Sequence, residues 1–228
     1  MARERPPIGR AAPLGGRCAW LLAALLVLLA IYPYLQGLVA GRIALGVINV
    51  TIMIAAIATT SRSRLPLPIA LALGAAAILL LAWHLLDPGQ LPYVVLGIAM
   101  ALYYVFVIVD LLLYVLRHGI VTADKLYAAV SVYVLIGLLW TVMLTLLYEL
   151  VPAAFLATGV AAKTGPLDFY DFLAVSFGTL TTAGFSGIVP ATHHARSLLI
   201  LEEITGVLYV AVLIARLTGI YQRDPPSS

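Results

Sequence analysis

Charge is scarce in this chain: 10% of its 228 residues are Asp, Glu, Lys or Arg, where a soluble domain carries about 25%. The balance is only slightly basic, 13 Lys and Arg against 10 Asp and Glu for a net +3. The cations do not gather on a polar segment, so nucleic acid is not the expected partner. A single cysteine, Cys18, excludes an intrachain disulfide and a cysteine-built metal cluster. The four histidines (His84, His118, His193 and His194) have no spacing with acids that makes a transition-metal site. There is no nucleophile-elbow pattern, so an enzyme is not expected. No internal repeat is visible, which argues against an inverted-repeat transporter. What is abundant is apolar side chain, at 63%, and this composition defines an all-α integral membrane protein.

A membrane helix needs roughly 20 apolar residues, and six runs qualify, at about 18–40, 43–60, 66–86, 91–116, 126–151 and 195–221. The second is diluted by Asn49, Thr51, Thr59 and Thr60. A seventh stretch, 167–181, is too short to cross and is expected to be re-entrant between helices five and six. With the N-terminus inside, ten cations (Arg3, Arg5, Arg10, Arg17, Arg62, Arg64, Arg117, Lys125, Arg216 and Arg223) fall on the cytoplasmic side, and Arg42, Lys163 and Arg196 fall outside. That bias places both termini in the cytoplasm of a multi-pass protein of the inner (plasma) membrane. The first run also has the arginine-flanked start of a signal peptide, without a convincing cleavage site. The expected divisions are a disordered N-terminus (1–17), a four-helix peripheral domain (18–116), a cytoplasmic linker (117–125), a second helical domain (126–221) and a short tail (222–228).

Chemistry concentrates in 176–190, Ser-Phe-Gly-Thr-Leu-Thr-Thr-Ala-Gly-Phe-Ser-Gly-Ile-Val-Pro. Non-helical backbone survives at membrane depth only where it is buried in protein or lines water. The threonines offer hydroxyl oxygens, and Gly184 permits the positive φ that lets successive carbonyls point one way. Such oxygens can replace the hydration shell of a cation.

The run from Thr179 to Pro190 resembles the filter of the tetrameric potassium-channel superfamily, Thr-Leu-Thr-Thr-x-Gly-Tyr-Gly-Asp-Ile-x-Pro. The resemblance extends over about 117–221, and the linker Val121-Thr122-Ala123-Asp124-Lys125-Leu126-Tyr127 is similar to that of the bacterial ion channel family. It implies a homotetramer in the lipid bilayer, with a pore helix and filter loop between helices five and six. Thr181, Thr182, Ala183, Gly184, Phe185 and Ser186 would bind potassium, and Thr182 would add its side-chain oxygen at the inner site. Glu149 and Gly187 would support the filter, and Gly206, 20 residues after Ser186, would be the gating hinge. This chain departs from the pattern in three places. Phe185 replaces tyrosine, Ser186 stands where the second glycine belongs, and Gly187 replaces the aspartate. Residues 182–186 also resemble the pore loops of Trk/Ktr-type transporters. No basic residue lies between Leu91 and Leu116, so a voltage-sensing arginine ladder is missing from the fourth run.

The first expectation is a passive potassium-conducting channel with no cofactor beyond the permeant ion. A weakly selective or non-selective cation channel and a non-conducting scaffold or partner subunit are the alternatives. Asp110, an acid within the fourth run, invites pairing inside the bundle or snorkelling to its edge. Glu202 is a candidate for outer negative charge, with Glu203 beside it. His193 and His194, read as part of the loop before the last run, could sense external pH or simply be solvated.

Overall fold

The computed structural model describes residues 16–35, 47, 49–56, 67–86, 90–117, 122–158, 165–184 and 187–221. Its elements are α1 (Arg17–Leu35), α2 (Leu67–Leu86), α3 (Gln90–Val115), α4 (Ala123–Leu150), β1 (Phe155–Ala157), α5 (Phe169–Leu180), β2 (Ile188–Pro190) and α6 (His193–Tyr221). A helical stretch at 49–56 precedes α2, and a 3-10 turn, Pro152–Ala154, follows α4. Among the described residues four helices are long and apolar enough to cross a membrane: α1, α3 from Tyr93, α4, and α6 as far as Arg216. The chain is thus a helical protein of membrane type. The tails 1–15 and 222–228 lie outside the described residues, as do Arg42, Arg62, Arg64, His118, Lys163, Phe185 and Ser186.

Helix α4 is the spine. Two-thirds of its spanning window is buried, against 11% for α6. It packs against α1, α3, α5 and α6. Its start is set by Thr122, whose side chain accepts from the Lys125 amide at 3.4 Å. The helix therefore begins at Ala123, and the expected linker 117–125 is shorter by three residues. Its end is set by Pro152, which pushes Val151 out of the helical region to φ −139°, ψ 81°. Ser131, Thr141 and Thr145 donate back to carbonyls one turn earlier, so they are satisfied within the helix.

Contacts at the two ends give the helix directions. At one end Asp124 accepts from the Cys18 amide (3.3 Å) and from the Tyr114 hydroxyl (3.0 Å), and Arg216 reaches the carbonyl of Leu116. The starts of α1 and α4 therefore meet the ends of α3 and α6. At the opposite end Tyr32 stacks on Tyr170 at 5.7 Å and meets Phe169 at 5.6 Å. So α1 and α4 run one way and α3 and α6 the other. Arg17, Arg117, Lys125 and Arg216 share the first end.

Two small strands are the departure from an all-helical expectation. β1 pairs antiparallel with β2 in the register Phe155↔Pro190, Leu156↔Val189, Ala157↔Ile188. Three residues per strand carry no readable alternation, which is why periodicity missed them.

Candidate functional site

The site is built on α5, a helix of 12 residues with a defined cap at each end. At its start Asp168 accepts from the Asp171 amide and Asp171 accepts from the Asp168 amide, both at 3.0 Å, a reciprocal capping box. At its finish the Thr182 amide bonds the Thr179 carbonyl (2.9 Å) and the Ala183 amide bonds the Gly178 carbonyl (2.7 Å). This is the Schellman pattern, which needs a left-handed residue after the cap. Thr182 takes that place with φ +60°, at a cost of roughly 1–2 kcal/mol for a residue bearing a Cβ.

Two glycines let α5 wedge between α4 and α6. At Gly137 a Cβ would stand 2.6 Å from Phe177 Cζ, so the ring lies directly on the α4 backbone. At Gly206 a Cβ would overlap the Leu180 carbonyl oxygen. Close approach by small residues is how helices associate where lipid is as apolar as leucine. Gly206 therefore has a packing reason to be glycine, in addition to the hinge expected of it.

Polar groups fasten the wedge. Ser176 Oγ lies 2.8 Å from the Gly137 carbonyl and 2.5 Å from Glu202 Oε1, linking α4, α5 and α6 at one buried point. Both side chains are fully buried, and Glu202 Oε2 has no hydrogen-bond partner among the described residues. Glu202 is thus a strut behind α5, which corrects the expectation of outer negative charge. A carboxyl with no exposure cannot present charge to solvent, whereas Glu203 beside it is exposed. Tyr133 donates to the Leu180 carbonyl at 3.2 Å, and Tyr209 donates to the Ala129 carbonyl at 2.6 Å. Their rings meet at 5.8 Å.

From this fixed base the loop emerges. Thr181, Thr182, Ala183 and Gly184 are all exposed. Thr181 Oγ1 donates to the Phe177 carbonyl at 2.6 Å, and Gly184 has φ +66° with nothing within 4 Å of where a Cβ would be. Phe185 and Ser186 lie outside the described residues. Gly187 also has φ +66°. Its carbonyl accepts from the Thr158 amide (2.7 Å) and hydroxyl (2.8 Å), so the segment after α4 ties down the loop's far limb through Thr158 and the strand pair. Gly187 is more than a missing aspartate, because its backbone conformation favours glycine. Glu149, in the last turn of α4, is half-buried and stands within electrostatic reach of Tyr93.

The remaining candidates separate from this cluster. Asp110 is buried, with Oδ1 lacking a hydrogen-bond partner among the described residues, so it does not snorkel. His193 and His194 are exposed but belong to the first turn of α6, because Thr192 caps that helix through the Ala195 amide at 3.3 Å. Sequence reading missed Thr158 and Tyr133, and gave Ser176, the first residue of the run it singled out, no role of its own. A serine flanked by Val175 and Phe177 in a short helix was the available signal for that role. Among the described residues no three His, Cys, Asp or Glu side chains could hold a metal ion together. Comparison of the chain with family models, curated proteins and solved structures finds no match in any of the three.

Proposed function

We propose that this protein is a passive cation channel, assembled as a homotetramer, in which α5 is a re-entrant pore helix and residues 181–187 form the filter loop. Six passes with both termini in the cytoplasm complete the reading. The observation that carries it is the doubly capped α5 wedged between α4 and α6, delivering an exposed loop with positive φ at Thr182, Gly184 and Gly187. Backbone of this kind at membrane depth must line water or be buried in protein. The negative end of α5, worth about half an elementary charge, points into the loop and favours a cation there.

Further observations support the same reading. One loop cannot surround an ion, so several copies must share an axis. The spine α4 runs parallel to α1, which fits an even number of passes between α1 and α3. The shared cluster of Arg17, Arg117, Lys125 and Arg216 fits the cytoplasmic end. Outside its packed stripe α6 exposes Ile200, Leu201, Ile204, Val207 and Leu208, to be covered by lipid and by neighbouring copies.

Potassium is the first choice of ion on the resemblance of Thr179–Pro190. The absence of Tyr and Asp at 185 and 187 favours weak selectivity as the second reading. The test is a pair of reversal potentials from purified protein in liposomes, with native mass measured on the same sample. A tetramer with a potassium-shifted reversal supports the first reading, and equal sodium and potassium permeation supports the second. A monomer or dimer without flux overturns both and leaves a scaffold.

A further inference from the structure

We infer that the groove between α3, α4 and α6 is a binding site for one anionic phospholipid. It encloses about 630 Å³, within the roughly 300–1,000 Å³ typical of ligand sites. Its walls include Val109 and Leu112 of α3, Leu139 and Trp140 of α4, and Leu208 and Val212 of α6, and Arg216 closes one end. Val109, Leu208 and Val212 are also exposed on the outer surface, so the groove opens sideways, where hydrocarbon would be.

Length and charge identify the occupant. Along α3 the lining runs from Val105 to Leu116, eleven residue steps of about 1.5 Å, or roughly 16 Å. That is about half of a hydrocarbon core roughly 30 Å thick. A spanning helix from another copy would need an apolar trough twice as long. A single lipid needs one leaflet of apolar wall with a polar contact at the interface. Arg216 supplies that contact, since Nη2 bonds the carbonyls of Leu116 and Arg117 and, among the described residues, leaves Nε and Nη1 to meet a phosphate. Lys125 stands beside it, donating from Nζ to the Arg117 carbonyl at 3.1 Å. The charged residues joined at this mouth are Arg117, Lys125 and Arg216, with Asp124 next to Lys125 at the start of α4, a net positive cluster. Basic pockets between membrane helices bind anionic headgroups in this way. The inference requires only that the chain is embedded in a membrane, and stands apart from ion conduction.

Trp140 provides the probe. The full chain, with Trp20→Phe and Trp83→Phe so that Trp140 alone reports, is reconstituted into vesicles containing acyl-brominated phosphatidylglycerol or acyl-brominated phosphatidylcholine at equal mole fraction. We expect Trp140 to be quenched by both lipids. At low salt the phosphatidylglycerol should compete better by about fivefold per cation engaged, falling as salt is raised. Arg216→Gln should remove the preference, and Arg216→Lys should keep most of it. Equal quenching by the two lipids in the parent protein would overturn the site as anion-selective, as would a preference that survives Arg216→Gln. No quenching by either would mean that another copy of the chain covers the groove.

Discussion

Replacing Gly206 by alanine separates two explanations of that residue by the sign of a stability change. A hinge glycine in a helix interior costs about 0.5–1 kcal/mol relative to alanine, so if bending were its only reason the substitution would stabilise the closed protein. The structure predicts the opposite. The new Cβ overlaps the Leu180 carbonyl oxygen and stands 3.0 Å from Leu180 Cδ1 and 3.1 Å from the Leu180 carbonyl carbon. Two of these three atoms are backbone and cannot rotate away. The same carbonyl receives Tyr133 at 3.2 Å, so moving α5 lengthens that bond as well. Overpacking of this kind costs roughly 1–3 kcal/mol. Less the gain in helix propensity, mid-range values leave a net loss of about 1 kcal/mol per chain. Thermal unfolding in detergent, followed by tryptophan fluorescence, should show a midpoint lowered by a few degrees. Flux should fall with it as the base of the loop shifts. An unchanged or higher midpoint would refute the close approach of α6 to α5.

Other substitutions test the remaining supports. Ser176→Ala removes the hydroxyl that links Gly137 to Glu202 and strands a buried carboxyl, and should cost about 2–4 kcal/mol in a denaturation midpoint. Glu202→Gln brings an N–H donor to Ser176 Oγ and frees the hydroxyl proton for Gly137, so it should be far milder than Ser176→Ala in the same assay. Asp124→Ala loses the bonds to Cys18 and Tyr114 and should cost about 1–3 kcal/mol, with faster amide exchange at the start of α1. Gly187→Asp forces a Cβ onto φ +66° at about 1–2 kcal/mol, and should weaken the Thr158 anchor, seen as faster exchange at the Thr158 amide.

Much of the helical layout was legible because span length and hydropathy are direct consequences of bilayer thickness. The runs at 66–86, 91–116 and 126–151 match α2, α3 and α4 to within a few residues. The packing face of α6 was not legible by hydropathy. Its half-buried and buried stripe runs through Ala195, Glu202, Gly206, Tyr209, Leu213 and Arg216, while most of its large aliphatic residues, Ile200, Leu201, Ile204, Val207, Leu208 and Val212 among them, face outward. In a membrane the interior face is marked by small and polar residues, the reverse of the soluble pattern, and that rule would have pointed to Glu202 and Gly206 together. The loop was visible as a Thr-Thr-x-Gly run, but its anchors were not. Thr158 meets Gly187 across 29 positions, and Ser176 meets Gly137 across 39. Such pairings are set by how helices cross and leave no local periodic trace. The Asp168–Asp171 box is local, yet with aspartate instead of glutamate at its fourth position it does not match the usual signature.

The central claim is that residues 181–187 conduct cations, and the most direct measurement is potassium flux through purified wild-type protein and Gly184→Ala in the same liposomes, with native mass recorded for both. Gly184 has open space around it within one chain but φ +66°, so alanine brings backbone strain of about 1–2 kcal/mol per chain without a clash in the fold itself. We expect wild-type flux, and in the variant an intact tetramer that has lost conduction or its preference among monovalent cations. Wild-type protein that carries no cation, or a Gly184→Ala tetramer that conducts as wild type does, would contradict it.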